Sequence, residues 1–183
     1  MTEGTVTLLG SSKAGKTTLI RYLETRQPVL ERPGTTYGVD VRKKTIQVGH
    51  WSIKTIDVGG QDIYKEAFWS MIVEMADAII YVIDGLLKEG EEFETSAEGF
   101  RYLKLLLPDE EVKKIPIAIL VNKQDLKKKN PLDPNKADQL YDISTAKSLT
   151  QHPYALFPTS AKYGEGVDEV LAWLTQALES LSA

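Results

Sequence analysis

Between the apolar run Val6-Thr7-Leu8-Leu9 and a stretch of helical period from Lys16 to about Thr25 lies Gly10-Ser11-Ser12-Lys13-Ala14-Gly15-Lys16-Thr17. The spacing is G-x-x-x-x-G-K-[ST], and its flanks are the strand and the helix that such a phosphate-binding loop requires. Gly10 and Gly15 let the backbone fold close around phosphate oxygens, while the amides and dipole at the start of the following helix favour an anion. Lys16 is spaced to reach the β and γ phosphates, and the Thr17 hydroxyl suits a magnesium ion. Ser12, Lys13, Ala14 and Thr18 complete the candidate phosphate contacts. These residues imply a nucleoside triphosphate and leave ATPases, metabolite kinases and GTPases open. The base has to be read elsewhere.

Short β-branched runs alternate with stretches of helical period along the rest of the chain, the pattern of a mostly parallel sheet with helices on both faces. With 183 residues, 42% hydrophobic and 26% charged, the chain makes one domain, 1–183. Gln27 to Gly38 contains Pro28, Pro33, Gly34 and Gly38 and reads as a mobile loop. Val39 to Val48 and Trp51 to Val58, separated only by Gly49-His50, read as an antiparallel hairpin. Ala78 to Ile83 and Ile117 to Val121 are almost uniformly apolar, as strands buried on both faces would be. The helix between them is expected to start near Thr95-Ser96, which offer a cap, and to end before Pro108. Asp133-Pro134 reads as a cap and first-turn proline opening a helix toward Leu149. Tyr154 to Pro158 is the last expected strand and Val167 to Leu181 the last helix. Lys127-Lys128-Lys129 reads as a solvated loop rather than a binding patch.

Asn122-Lys123-Gln124-Asp125 follows the buried strand directly, at the carboxyl edge where open α/β sheets bind ligands. A carboxylate there accepts hydrogen bonds from N1 and N2 of guanine, and adenine offers neither, so Asp125 discriminates between the bases. The Lys123 stem can lie along the purine face, and Asn122 can brace the loop. After the last strand, Thr159-Ser160-Ala161-Lys162 could supply the Ala161 amide to the guanine O6, with Ser160 and Lys162 beside it. Asp57-Val58-Gly59-Gly60-Gln61 also follows a strand. Asp57 can hold magnesium through water opposite Thr17, the Gly60 amide can approach the γ phosphate, and Gln61 can orient the attacking water. In Thr35-Thr36-Tyr37-Gly38, the spacing to Gly38 favours Thr36 over Thr35 as the hydroxyl that completes the magnesium shell while the γ phosphate is present.

Together these residues resemble the small GTPase family across nearly the whole chain, and within it the Arf and Arf-like branch. The pointers to that branch are Asp57-Val58-Gly59-Gly60-Gln61, Asn122-Lys123-Gln124-Asp125 and the Thr36-x-Gly38 spacing before the hairpin. The resemblance implies a P-loop NTPase fold, a six-stranded mostly parallel sheet with one antiparallel strand. It also implies GTP or GDP with Mg2+ as ligands, Gln61 and Lys16 as catalytic residues, and Thr17, Thr36 and Asp57 at the metal. Effectors, an exchange factor and a GTPase-activating partner would engage the segment from Thr35 to Trp69, where Trp51, Tyr64, Phe68 and Trp69 are the apolar candidates, core packing being an equally good account of Phe68 and Trp69. Two positions depart from the branch: residue two is Thr2 rather than a myristoylated glycine, and Ile56 stands where a tryptophan precedes the aspartate.

Three functions compete: a GTP-hydrolysing switch, a GTP-bound structural subunit that scarcely hydrolyses, and an ATP-dependent small-molecule kinase. Gln61 favours the first and Asp125 opposes the third. Arg32, in Arg32-Pro33-Gly34-Thr35-Thr36-Tyr37, resembles the cis arginine of heterotrimeric G-protein α subunits. Aligned on Gly38 it falls one residue early, and a solvated loop arginine is the preferred reading. The absence of cysteine excludes disulfides and thiolate sites, and His50 and His152 alone cannot make a histidine-rich metal site. A net charge of −4 argues against nucleic-acid binding. No secretory signal, membrane-spanning run or intrinsic membrane anchor is seen, so the expected location is cytoplasmic, with any membrane contact made through a partner.

Overall fold

A computed structural model describes residues 2–31, 44–48, 51–57, 62–88, 90–108, 111 and 113–182. The elements in chain order are β1 Thr2–Gly10, α1 Lys16–Thr25, β2 Lys44–Val48, β3 Trp51–Asp57, α2 Asp62–Met75, β4 Ala78–Asp84 and α3 Glu91–Leu106. They continue with β5 Ile117–Asn122, a 3-10 turn at Lys127–Lys129, α4 Pro134–Tyr141, α5 Lys147–Thr150, β6 Tyr154–Pro158 and α6 Val167–Ser182. Among the described residues the strands form one sheet in the order β2-β3-β1-β4-β5-β6. β1 pairs parallel with β3 and β4, β4 with β5 and β5 with β6, whereas β2 runs antiparallel to β3.

The alternation of side chains along the strands divides the apolar residues into two layers. Val6, Leu8, Ile80, Val82, Ala118 and Leu120 face one way and pack against Leu19 and Leu23 of α1 and Val170, Leu174 and Leu178 of α6. Leu9, Ile79, Tyr81, Ile83, Ile117 and Ile119 face the other way, under Trp69 and Ile72 of α2, Phe100 and Leu103 of α3, Tyr141 of α4 and Leu149 of α5. Both apolar strands read from the sequence are buried along their whole length. Each fully buried aliphatic side chain contributes about 1.5–3 kcal/mol relative to exposure, so this double-sided burial is what holds the carboxyl edge of β1, β4 and β5 in line.

Several expectations need correction. The helix expected to start at Thr95-Ser96 starts at Glu91, because Gly90 turns the chain at φ +94° and Glu91, Glu92 and Glu94 suit the positive helix end. Ser96 lies inside the helix, where its hydroxyl meets the Tyr141 hydroxyl at 2.9 Å. The helix expected from Asp133 to Leu149 is two helices. Asp133 caps it as expected, accepting from the Lys136 amide at 2.9 Å. It stops at Tyr141, since Asp142 is left-handed at φ +53° and Asp138 draws in the Ser144 amide at 2.7 Å. Lys127–Lys129 is a short 3-10 turn, exposed as the solvated reading requires. The start of the supposed mobile loop is tethered: Thr25 Oγ1 accepts from the Gln27 amide, and the Val29 amide donates to Lys162 O at 2.8 Å. Its remainder, with Arg32 to Gly38, lies outside the described residues, as do Val39 to Arg42, Lys43, Gly49 and His50. Of the two readings of Trp69, partner surface and core, the structure takes the core, where it is fully buried.

Candidate functional site

β1 delivers the phosphate loop to the sheet edge. Gly10 has φ +138°, and a Cβ there would lie 2.2 Å from the carbonyl oxygen of Val82 on β4. Gly15 has φ +109°, and a Cβ there would lie 2.2 Å from Asn122 Nδ2. Only glycine lets both neighbours come so close. The Lys16 ammonium is buried and donates to the carbonyls of Gly10 and Ser11, both at 2.9 Å. α1 begins at Lys16 with no side-chain cap at Gly15 and no acidic residue in its own first turn, so the positive end of the helix is not neutralised from within the helix.

β5 delivers the second loop beside the first. Asn122, 2% exposed, donates from Nδ2 to Ala14 O at 2.8 Å and accepts at Oδ1 from the Ala161 amide at 2.8 Å. One carboxamide therefore ties the phosphate loop, the end of β5 and the loop after β6 together. The Ala161 amide, expected to reach a guanine oxygen, is engaged with Asn122 here. Asp125 accepts from the Ser160 hydroxyl at 2.8 Å, which fixes the direction of its carboxylate. The Gln124 amide donates to Thr159 O at 3.0 Å, closing the two loops on each other. Lys123 stands at φ +71°, and its ammonium is 2.5 Å from Asp84 Oδ2.

A cavity of about 260 Å³ lies among these loops. Lys13, Gly15 and Thr18 form its phosphate-loop wall, Asn122, Lys123, Asp125 and Leu126 its β5 wall, and Ala161 and Lys162 a third. Val29, Leu30 and Glu31 close it from the loop after α1, Leu30 standing 74% exposed. Of the metal candidates, Thr17 lies in the first turn of α1. Asp57 ends β3 in register with Leu8, so its backbone is at the same sheet edge as the phosphate loop. Thr36, Gly60 and Gln61 lie outside the described residues, as do the side chains of Trp51, Tyr64 and Phe68.

Residues not anticipated from the sequence also shape this edge. Gln124 Nε2 donates to Leu132 O at 2.7 Å and to Val121 O at 3.2 Å. Asp84, buried, ends the strand next to β5, and its placement one residue past the apolar run Ala78 to Ile83 was the available signal. Its negative charge also bears on Tyr141, whose hydroxyl is pushed up to about 12, first by burial and further by Asp84, against the opposing hydrogen bond from Ser96.

A parallel sheet whose carboxyl edge sets a phosphate loop beside an Asn-Lys-x-Asp loop with an oriented carboxylate is the arrangement of a GTP-binding small GTPase. The chain matches the model of the ADP-ribosylation factor family over residues 1–178 and belongs to that family. It is 30% identical over 178 residues to ADP-ribosylation factor 1 of Brassica rapa subsp. pekinensis, covering 97% of this chain and 90% of that protein. It is 27% identical over 177 residues to ADP-ribosylation factor-like protein 3 of Chlamydomonas reinhardtii, covering 97% and 92%. Among solved structures it is similar to the Arl6 BBS3 small GTPase of Trypanosoma brucei with bound nucleotide analogue GppNp. There the TM-score is 0.77 at 21% identity, over 98% of this chain and 99% of that one, a likeness of fold. No helix among the described residues is long and apolar enough to cross a membrane.

Proposed function

We propose that this chain is a single G domain, 1–183, that works as a molecular switch, binding GTP, hydrolysing it slowly to GDP and rearranging two loops as the third phosphate is lost. The observation that carries the reading is the shared cavity, which has Lys13, Gly15 and Thr18 of the phosphate loop on one wall and Asp125, oriented by Ser160, on another. Asp125 reads guanine N1 and N2. Asn122, Lys123, Ser160, Ala161 and Lys162 shape the base site, and Ser12 to Thr18 surround the phosphates. The Lys16 ammonium donates to the carbonyls of Gly10 and Ser11 at the loop where phosphate would enter, and an anionic phosphate oxygen is a stronger acceptor than a carbonyl.

The oxygen donors of Thr17, Thr36 and Asp57 suit a hard divalent cation, and the first and last of them belong to segments that meet at the phosphate-loop edge. Magnesium, when bound there, supplies charge neutralisation across the β and γ phosphates. Gln61 orients a water molecule whose oxygen attacks the γ phosphorus while the bond to the bridging oxygen breaks, leaving GDP and inorganic phosphate. Thr36 and Gly60 sense the third phosphate, so their loops carry the signal to effectors through Thr35 to Phe68. An exchange factor and an activating protein that adds an arginine would set the timing.

Single-turnover hydrolysis by purified protein, run with GTP and with ATP, tests this. Slow turnover of GTP and none of ATP is the expected result. Tight GTP binding without turnover would make the chain a GTP-bound scaffold, and turnover of ATP would overturn the base assignment.

A further inference from the structure

We infer that Asp84 is a positioning residue for nucleotide retention, acting by holding Lys123 of the base-reading loop; this deepens the reading above and rests on it. Asp84 is the last residue of β4, in register with Asn122, the last of β5. It is 6% exposed, and its two carboxylate oxygens have separate tasks. Oδ1 accepts from the Leu86 amide at 3.0 Å, a bond within the turn after β4 that fixes the direction of the group. Oδ2 accepts from the Lys123 ammonium at 2.5 Å and reaches across to the neighbouring loop. A buried carboxylate keeps its charge only with a partner, so Lys123 stabilises the anion while the anion dictates where the ammonium lies.

Lys123 needs such a hold. It stands at φ +71°, a left-handed conformation that an L side chain rarely adopts, and surrounding contacts must impose it. The turn that carries Asp84 grips the loop elsewhere too: the Gly85 amide donates to Asn122 O at 3.1 Å, and a Cβ on Gly85 would sit 2.4 Å from that oxygen. Asn122 and Asp125 have their own braces in Ala161 and Ser160. Among the described residues, Asp84 is the charged partner of Lys123. With the ammonium pinned, the Lys123 stem is held where the cavity places it, ready to cover a purine face. Asparagine in place of Asp84 either turns an amide toward the ammonium, which frees the lysine, or keeps an oxygen on it at the cost of the Leu86 bond and without the negative charge, which weakens the hold.

The test is the dissociation rate of fluorescently labelled GDP from wild type, Asp84→Asn, Lys123→Met and the double variant, since methionine keeps an apolar stem without the charge. Asp84→Asn is expected to speed release about tenfold or more in the wild-type background and by less than about twofold in the Lys123→Met background. The preference for GDP over xanthosine diphosphate should stay at the wild-type value, because Asp125 sets it. Asp84→Ser, which keeps an acceptor for the Leu86 amide, carries the same expectations should Asp84→Asn fold poorly. Release as slow as wild type overturns the inference, and so does equal acceleration in both backgrounds, the mark of a merely structural residue. A wild-type protein that retains no guanine nucleotide would overturn the guanine reading itself.

Discussion

Removing the side chain of Asn122 tests whether one carboxamide joins the two halves of the site. Asn122→Ala strands two buried backbone groups at once, the carbonyl of Ala14 and the amide of Ala161, each now 2.8 Å from its partner. An unsatisfied buried group costs about 1–3 kcal/mol, so the loss is about 2 kcal/mol if water reaches both groups and about 6 if neither is reached. A domain of this size loses about 2–4 °C of Tm per kcal/mol. The lower bound, about 2 kcal/mol out of a typical margin of about 5–15 kcal/mol, therefore corresponds to a fall of about 4–8 °C. Asn122→Asp should be worse. It keeps the acceptor for Ala161 but sets a buried anionic oxygen against the Ala14 carbonyl, two acceptors facing each other. The assay is thermal unfolding with GDP at one fixed excess, since bound ligand adds its own stability, together with GDP release on the same samples. A Tm within 1 °C of wild type in Asn122→Ala, with release unchanged, would refute the bridging role.

The remaining predictions concern chemistry and pH. Asp125→Asn should weaken GDP and GTP and shift preference toward xanthine nucleotides, since an amide can donate to xanthine O2 and opposes the guanine amine; a nucleotide titration reads this directly. Gln61→Leu should slow single-turnover hydrolysis while GTP binding persists, because leucine orients no water and removes no phosphate contact. Stability should fall as pH rises from 10 toward 12. The Tyr141 hydroxyl is held neutral up to about 12 against an ordinary value of 10.0, so the unfolded chain loses its proton first and unfolding is favoured across that interval. The slope is at most about 1.4 kcal/mol per pH unit for one such group. Denaturant unfolding of wild type and Tyr141→Phe at pH 9 and pH 11 should show a smaller loss in the variant.

The parts of the site that could be read from the chain are those in which chemistry is packed into contiguous residues. Gly10 to Thr17 and Asn122 to Asp125 are such runs, and both stand at strand ends as read. What could not be read is whatever binds these runs to one another. Asn122 meets Ala14 across 108 positions, and Lys123 meets Asp84 across 39. No local pattern marks such a pair, because register between strands decides it. The same limit explains the helix boundaries. A search for hydroxyl caps finds Thr95-Ser96, whereas Gly90 starts α3 through a backbone angle that its letter does not spell. α2 was missed for another reason. Buried Trp69, Ile72 and Val73 are interleaved with half-exposed Met71 and Met75, so no clean polar face announces a helix.

The two loops are also energetically one site. The Gly15 wall of the phosphate loop is built against the Asn122 amide, and the Ala161 wall hangs from the same side chain. On the proposed function, a base seated between Asp125 and Lys123 would order Asn122 through its own loop, and that ordering would reach Ala14 of the phosphate loop. Phosphate contacts impose the same order in the reverse direction, so each half of a nucleotide meets a site partly organised by the other. The cost of ordering is then met once for both halves, which is the condition for an affinity larger than the separate affinities of base and phosphates suggest. Among the described residues, the side-chain bond that runs from the base loop to the phosphate loop is that of Asn122 to Ala14, so a coupling of this kind passes through that carboxamide, while Asp84 steadies the base loop from the side of β4.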